Sequence, residues 1–107
     1  MHLAESPFAL IKSGQKTVEM RLANKGRDKI KPNDHIVFHN EKMEEKLEVL
    51  VVNINRFPSF HELYKAYDKI KLGYLENEIA NPDDMQIYYS KEDIQKYGVL
   101  AIEIKLL

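Results

Sequence analysis

The chain has 107 residues, of which 44% are hydrophobic and 31% are charged, and its formal net charge is −1. This length and composition predict a single folded domain over residues 1–107 and exclude a disordered chain. With 0 cysteines, disulfides, thiol catalysis and cysteine-ligated metal sites are excluded as well. No signal peptide is visible, and no apolar run approaches the roughly 20 residues of a membrane helix, so we expect a soluble, cytoplasmic protein.

The opening of the chain predicts a helix followed by a strand. Ser6 and Pro7 are typical of a helix start, and Ser13-Gly14 is typical of a helix end. Residues 17–22 then alternate between polar and apolar side chains, which predicts a strand. Its apolar face would carry Val18, Met20 and Leu22, and its polar face would carry Thr17, Glu19 and Arg21.

The middle of the chain predicts two further strands. A basic loop over residues 23–34 ends in the turn sequence Pro32-Asn33-Asp34. Strands follow at residues 36–39 and 46–57, the second of them rich in Val and Ile. A charged hairpin end over residues 41–46 would join them.

The last part of the chain predicts short helices. Ser59 and Glu62 form a capping box, which begins a helix that we expect to run to about Ile70. Ser90 begins another helix, and Gly98 ends it.

Residues 99–106 are apolar enough to form a central strand. The elements add up to about five strands and about three short helices in mixed order. They predict an α+β domain in which helices pack around a small barrel.

Charge is unevenly distributed along the chain. Residues 12–31 hold seven Lys and Arg side chains against two carboxylates, whereas the rest of the chain is acidic. A local basic patch is the electrostatic footprint of nucleic-acid binding, and a charge run is also typical of a solvated loop. On the first interpretation, phosphate would be contacted by Lys12, Lys16, Arg21, Lys25 and Arg27. Tyr88, Tyr89 and Phe57 are candidates for stacking on a base, with core packing as the alternative.

The polar face of the strand at residues 17–22 is a second candidate site. Glu19 lies between Lys16 and Arg21. If this face of the strand is open to solvent, the three side chains would form ordinary surface ion pairs; if the face lines a cleft, they would form a polar pocket. In a pocket, Lys16 and Glu19 are candidate catalytic residues, an acid–base pair if the pKa of the lysine is lowered enough. Thr17, Glu19 and Arg21 are candidate ligand contacts. No motif for nucleotide phosphates, zinc or a hydrolase triad is present, and we expect no metal and no cofactor.

Three blocks of the sequence resemble the ASCH domain family, and together they cover nearly the whole chain. Residues 8–22 resemble its F-x-x-I-x-x-G-x-K-T-x-E-x-R signature. Residues 30–38 resemble its I-x-x-G-D-x-I-x-F turn and strand, with Asn33 in place of the glycine, and residues 88–102 resemble its C-terminal block. The resemblance implies a PUA-like β-barrel with a cleft between the barrel and the helices, and the basic residues of the signature segment lead us to expect that this cleft is cationic. It also implies a function related to RNA or other nucleic acid, and we expect the partner to be single-stranded RNA or a modified nucleoside.

The resemblance implies an enzymatic alternative as well. Some members of the family are amidohydrolases that act on N4-acetylcytidine through a Lys–Thr–Glu arrangement, and ribonuclease activity is also described. The lysine matches Lys16, the threonine position holds Glu19, and the glutamate falls near Asp83, Asp84 or Tyr88. An interaction domain without either activity, using the helix after Ser59, is a third interpretation.

Overall fold

The computed structural model describes residues 1–40, 42 and 44–107, which form an α+β domain as predicted. The strands are β1 (His2–Leu3), β2 (Val18–Leu22), β3 (His35–Asn40), β4 (Lys46–Phe57) and β5 (Val99–Leu106). The α-helices are α1 (Glu5–Lys12), α2 (Phe60–Ala66), α3 (Lys69–Leu72) and α4 (Lys91–Tyr97), and 3₁₀ helices cover Arg27–Lys29 and Pro82–Ile87. The predicted hairpin end at residues 41–46 includes Glu41 and Met43, which lie outside the described residues.

The five strands form one mixed sheet that curves into a half-barrel. Their order is β1-β3-β4-β5-β2, with β1 parallel to β3 and all other pairs antiparallel. β5 therefore lies inside the sheet, as its apolar sequence predicted. A register shift between Val51 and Asn53 interrupts the pairing of β4 with β5, and such a bulge bends a strand and increases its twist. The edge strands β1 and β2 come together, since Nη2 of Arg21 lies 3.0 Å from the carbonyl oxygen of His2.

Apolar side chains pack on both sides of the sheet. One core cluster lies under α1 and includes Phe8, Ile11, Phe38, Val51 and Ile102. The other lies under α2, α3 and the second 3₁₀ helix and includes Val18, Met20, Leu22, Leu63 and Met85. The apolar face of β2 is thus confirmed, and its polar face turns toward the joined edges of the sheet.

The predicted start of the first helix is wrong by two residues. Its N-cap is Ala4 rather than Ser6, and the first helical hydrogen bond runs from the amide of Phe8 to the carbonyl of Ala4, 3.1 Å away. Pro7 fits in the first turn because amides there have no helical acceptor, so a missing N–H costs nothing. A proline therefore marks a helix start only to within a turn.

The helix predicted from Ser59 to about Ile70 is two helices. Ser59 caps α2 as predicted, its hydroxyl accepting from the amide of Glu62 at 3.3 Å. The chain becomes extended at Tyr67, and the Asp68 carboxylate then caps α3 by accepting from the amide of Ile70 at 3.2 Å. Because an aspartate side chain can accept a hydrogen bond from a nearby backbone amide, it favours the start of a new helix over the continuation of the first.

The last helix matches its prediction. The Ser90 hydroxyl accepts from the amide of Asp93 at 3.1 Å, and Gly98 follows the last residue of α4. No helix in the described part of the chain is long and apolar enough to cross a membrane.

Candidate ligand-binding site

A cavity of about 360 Å³ opens where the edge strands β1 and β2 meet α1 and the segment from α3 to the second 3₁₀ helix. This volume falls within the roughly 300–1,000 Å³ typical of small-molecule sites. The lining comprises His2, Leu3, Ala4, Ser6, Pro7, Leu10, Lys16, Glu19, Met20, Arg21, Tyr64, Leu72, Gly73, Tyr74, Glu78, Asp84, Met85, Ile87, Tyr88 and Tyr89.

Glu19 forms part of the floor of the cavity and is only 5% exposed. Its Oε2 accepts from Nη2 of Arg21 at 3.0 Å and from Nε at 3.3 Å. Its Oε1 accepts from the amide of Met20 at 3.0 Å and lies 3.7 Å from Nζ of Lys16. The polar face of β2 is therefore closed, which makes these side chains a polar pocket rather than a surface ladder.

Lys16 is the second buried charged group of the floor, 6% exposed. Its Nζ donates to the carbonyl of Leu72, the last residue of α3, at 2.6 Å. Burial lowers the pKa of the Lys16 ammonium; the Glu19 carboxylate opposes this, and the positive charge of Arg21 adds to it. The lysine is therefore easier to deprotonate than one in water, as proton transfer near neutral pH requires.

The wall of the cavity carries a chain of hydroxyl groups. The hydroxyls of Tyr64 and Tyr74 lie 2.9 Å apart, and the Tyr74 hydroxyl donates to Oδ2 of Asp84 at 2.9 Å. Burial, the contact with Tyr64 and the nearby carboxylate all raise the pKa of Tyr74. At neutral pH its hydroxyl is consequently a hydrogen-bond donor.

Two predicted aromatic residues border the cavity. Tyr88 is 65% exposed, so much of its ring is open to a ligand. The ring of Tyr89 stacks on Phe60 with a centroid distance of 6.0 Å and an angle of 15°, and it is half-buried. Tyr89 thus contributes to the second core cluster, as the core-packing alternative predicted, while also lining the cavity.

Five other predicted contacts lie outside the cavity. Lys12 is the last residue of α1, and its Nζ lies 2.6 Å from Oε2 of Glu45. The basic loop carries Lys25, which is exposed, and Arg27, which donates to the Asn24 side chain at 2.9 Å. Thr17 and Phe57 are also absent from the lining. None of the five is among the residues that line the cavity with Lys16.

Thr17 and Phe57 have structural partners. The Thr17 amide donates to the Lys71 carbonyl at 3.0 Å, which ties the start of β2 to α3. Phe57 packs edge-on against Tyr67, with ring centroids 6.3 Å apart. Asp83 is one of the three candidate positions for the family's glutamate. It pairs with His61 outside the cavity, with 3.0 Å between its Oδ1 and Nε2 of the histidine.

The cavity is of mixed charge rather than cationic. Its charged side chains are Lys16, Arg21, Glu19, Glu78 and Asp84. Two cations thus face three carboxylates, and the surplus of basic residues lies elsewhere on the molecule. Within the described ranges, no three His, Asp or Glu side chains are close enough together to hold a metal ion.

The lining residues that sequence reasoning missed include Tyr64, Gly73, Tyr74 and Glu78. Tyr64 lies on α2, and the other three come from a stretch with no clear hydrophobic period. Gly73 is the detectable signal, because a glycine directly after a short lysine-rich helix is typical of a helix end.

A second groove of about 400 Å³ lies between α2, the second 3₁₀ helix and α4. Its lining residues include Ser59, His61, Ile94 and Asp83, the last of them one of the three candidate positions for the family's glutamate. The His61 and Asp83 side chains that pair in it are 61% and 55% exposed. The groove therefore lacks the buried charged groups of the first cavity.

A family model and solved structures match this chain. The family model of the ASCH domain matches residues 1–107. The crystal structure of the hypothetical protein PH0355 is 32% identical, covers 100% of this chain and 96% of that chain, and has a TM-score of 0.83. The solution NMR structure of protein PF0455 from Pyrococcus furiosus is 31% identical, covers 100% and 98% of the two chains, and has a TM-score of 0.65. No curated protein matches the chain.

Proposed function

Because the chain belongs to the ASCH domain family, which is generally thought to bind RNA, we propose that its cavity binds one nucleoside or one unpaired base of single-stranded RNA. The observation that carries the proposal is the convergence of Lys16, Glu19 and Arg21 with Tyr88 and Tyr89 on one cavity of about 360 Å³. A polar floor beside aromatic rings suits a flat ligand with hydrogen-bonding edges.

The floor offers donors for the edge of a base. Lys16 donates one N–H to the Leu72 carbonyl and its ammonium lies beside Glu19, so a further N–H can be shared with a ligand. Arg21 directs Nε and Nη2 at protein oxygens, and its Nη1 has no protein acceptor among the described residues. Carbonyl groups and ring nitrogens of a base are acceptors that fit such donors.

The aromatic residues supply the second part of recognition. Base–aromatic stacking contributes roughly 1–3 kcal/mol per base and tolerates different bases. Tyr88 has the exposed ring face that such stacking needs, and the exposed Ile87 extends the apolar rim. The acidic groups at the opening favour a single nucleoside or one inserted base over a long polyanion held inside the cavity.

Calorimetric titration of the whole chain with cytidine, N4-acetylcytidine and a short single-stranded RNA tests this proposal. We expect saturable binding of at least one of them, weakened by about fivefold or more in Tyr88→Ala. Val52→Ala is the matched control, because Val52 is 52% exposed on β4 and lies away from the cavity. Absence of binding by all three ligands, or equal binding by the two variants, would refute it.

Amide hydrolysis of an acylated nucleoside is the second candidate function, and the lowered pKa of Lys16 favours it. The neutral amine would take a proton from water as the water oxygen bonds to the acyl carbon. The C–N bond would then break, and the lysine ammonium would return the proton to the departing nucleoside amine, which leaves a carboxylic acid and the free nucleoside. Glu19 stands where the family's threonine would be, so no hydroxyl nucleophile is present at that position. Turnover of N4-acetylcytidine by the wild type and none by Lys16→Ala would support hydrolysis; no turnover by either would exclude it.

A further inference from the structure

The side chain of Lys16 runs against a glycine. Gly73 follows α3 with φ of 107°, and a Cβ atom placed on it would lie 3.1 Å from Cδ, 3.5 Å from Nζ and 3.6 Å from Cγ of Lys16. Gly14 and Gly26 also have positive φ, of 87° and 80°, but a Cβ on either would meet nothing within 4 Å. Of these three glycines, only Gly73 leaves space that another side chain occupies.

The residue before this glycine binds the end of the same lysine. The Leu72 carbonyl accepts from Nζ of Lys16 at 2.6 Å, and Leu72 is itself only 3% exposed. The last carbonyls of a helix have no N–H donor within it, so a cation is a favourable neighbour there. Leu72 and Gly73 thus contact both the ammonium group and the stem of Lys16.

The residue after the glycine is fixed as well. The Tyr74 carbonyl accepts from Nε2 of Gln15 at 3.2 Å, and its hydroxyl donates to Asp84 at 2.9 Å. Residues 72–74 are therefore tied to β2's entrance on one side and to the second 3₁₀ helix on the other. Because the backbone of residues 72–74 is held on both sides, we expect a side chain added at Gly73 to displace Lys16 rather than the backbone.

We propose that Gly73 is a positioning residue, whose missing side chain forms the slot that keeps Lys16 against the Leu72 carbonyl and beside Glu19 at the cavity floor. A methyl group there would push the ammonium toward the open part of the cavity. The position of the lysine follows from the packing alone, whereas any consequence for ligand binding rests on the proposed function.

Comparison of Gly73→Ala with Gly26→Ala separates this role from backbone strain. Both substitutions place alanine at positive φ, so both should lower the urea midpoint of unfolding. Only Gly73→Ala should move the pKa of Lys16, which NMR of its Cε and Nζ resonances would follow. The expected direction is upward, toward the 10.5 of a lysine in water, because the ammonium gains contact with water. An unchanged pKa of Lys16 in Gly73→Ala would overturn the proposal.

A double-mutant cycle decides the matter if Gly73→Ala alone does not fold. Lys16→Ala removes Cγ, Cδ and Nζ, the three atoms that the new methyl group would meet. The loss in urea midpoint caused by Gly73→Ala should therefore be smaller in the Lys16→Ala background, whereas the loss caused by Gly26→Ala should be the same in both. Equal losses from Gly73→Ala in the two backgrounds, or a double variant that is also unfolded, would overturn the proposal. None of these readouts needs a ligand, so they stand apart from the nucleoside-binding proposal.

Discussion

Arg21 donates a hydrogen bond from Nη2 to the carbonyl of His2, 3.0 Å away, and thereby joins the two edge strands of the half-barrel. The same guanidinium holds the Glu19 carboxylate through Nη2 and Nε. Closure of the sheet and construction of the cavity floor thus depend on one side chain, which is 13% exposed.

Arg21→Lys should separate these contacts from the charge. A lysine has a single nitrogen and cannot reach Glu19 in a fork while also donating to His2. We expect the free energy of unfolding to fall by about 2 kcal/mol in urea titrations, because hydrogen bonds to charged groups are lost. Arg27→Lys is the control, since Arg27 donates to the Asn24 side chain in a loop. Equal stability of the two variants would contradict the role of Arg21 at the seam.

Glu19→Gln should be strongly destabilising. The substitution leaves Lys16 and Arg21 buried without their common counter-charge, and removal of one partner from a buried pair costs about 3 kcal/mol or more. Because the Glu19 carboxylate opposes the effect of burial, the pKa of Lys16 should also fall further. Denaturant unfolding checks the first result and NMR titration of the lysine checks the second.

Glu45→Gln is the comparison for that prediction. Glu45 pairs with Lys12 at 2.6 Å, and the two side chains are 39% and 56% exposed. Exposed pairs contribute about 1 kcal/mol or less, so this variant should be nearly as stable as the wild type. A loss as large as that of Glu19→Gln would show that burial does not distinguish the two pairs.

The pH dependence of stability should carry the signature of Lys16. Its pKa is lowered in the fold, so between that lowered value and 10.5 the unfolded chain binds more protons than the folded one. Stability then rises with pH across this window relative to Lys16→Met, which has no group to titrate there. Urea midpoints of both proteins from about pH 7 to 10.5 provide the test. A difference that stays constant with pH would contradict the burial of a charged ammonium, and Lys71→Met, at an exposed position of α3, is the control.

The basic residues outside the cavity make a separate prediction. Replacing Lys12, Lys25 and Arg27 together by glutamine should leave the affinity for a nucleoside within about twofold, because none of them lines the cavity. If these residues contact phosphate, the same variant should bind single-stranded RNA more weakly and with a shallower salt dependence. Titrations at two salt concentrations distinguish the cases. A large loss of nucleoside affinity would contradict the placement of the ligand.

Local patterns in the sequence predicted much of this fold. The alternation in β2 assigned Glu19 and Arg21 to the face opposite Val18 and Met20, and that assignment is correct because one face of the strand is apolar throughout. Asn33, which stands in place of a family glycine, has φ of 77°, a conformation that asparagine tolerates better than most residues.

What the sequence could not predict depends on contacts between distant residues. β1 has only two residues, too few for any period, and it forms by pairing with β3. The charge run from Lys12 to Lys31 does not indicate which way its side chains point. Of its cations, only Lys16 and Arg21 line the cavity. The Leu72 carbonyl and the Tyr74 hydroxyl enter the site through tertiary packing, which no local pattern records.

The most direct test of the nucleoside-binding site is an amide NMR titration of the whole chain with cytidine and N4-acetylcytidine. We expect saturable shifts that are largest at Met20, Gly73 and Tyr88, three residues that meet around the cavity from separate parts of the chain. Shifts confined to Ser59 and Ile94 in the second groove, or no saturable shift with either nucleoside, would contradict the account.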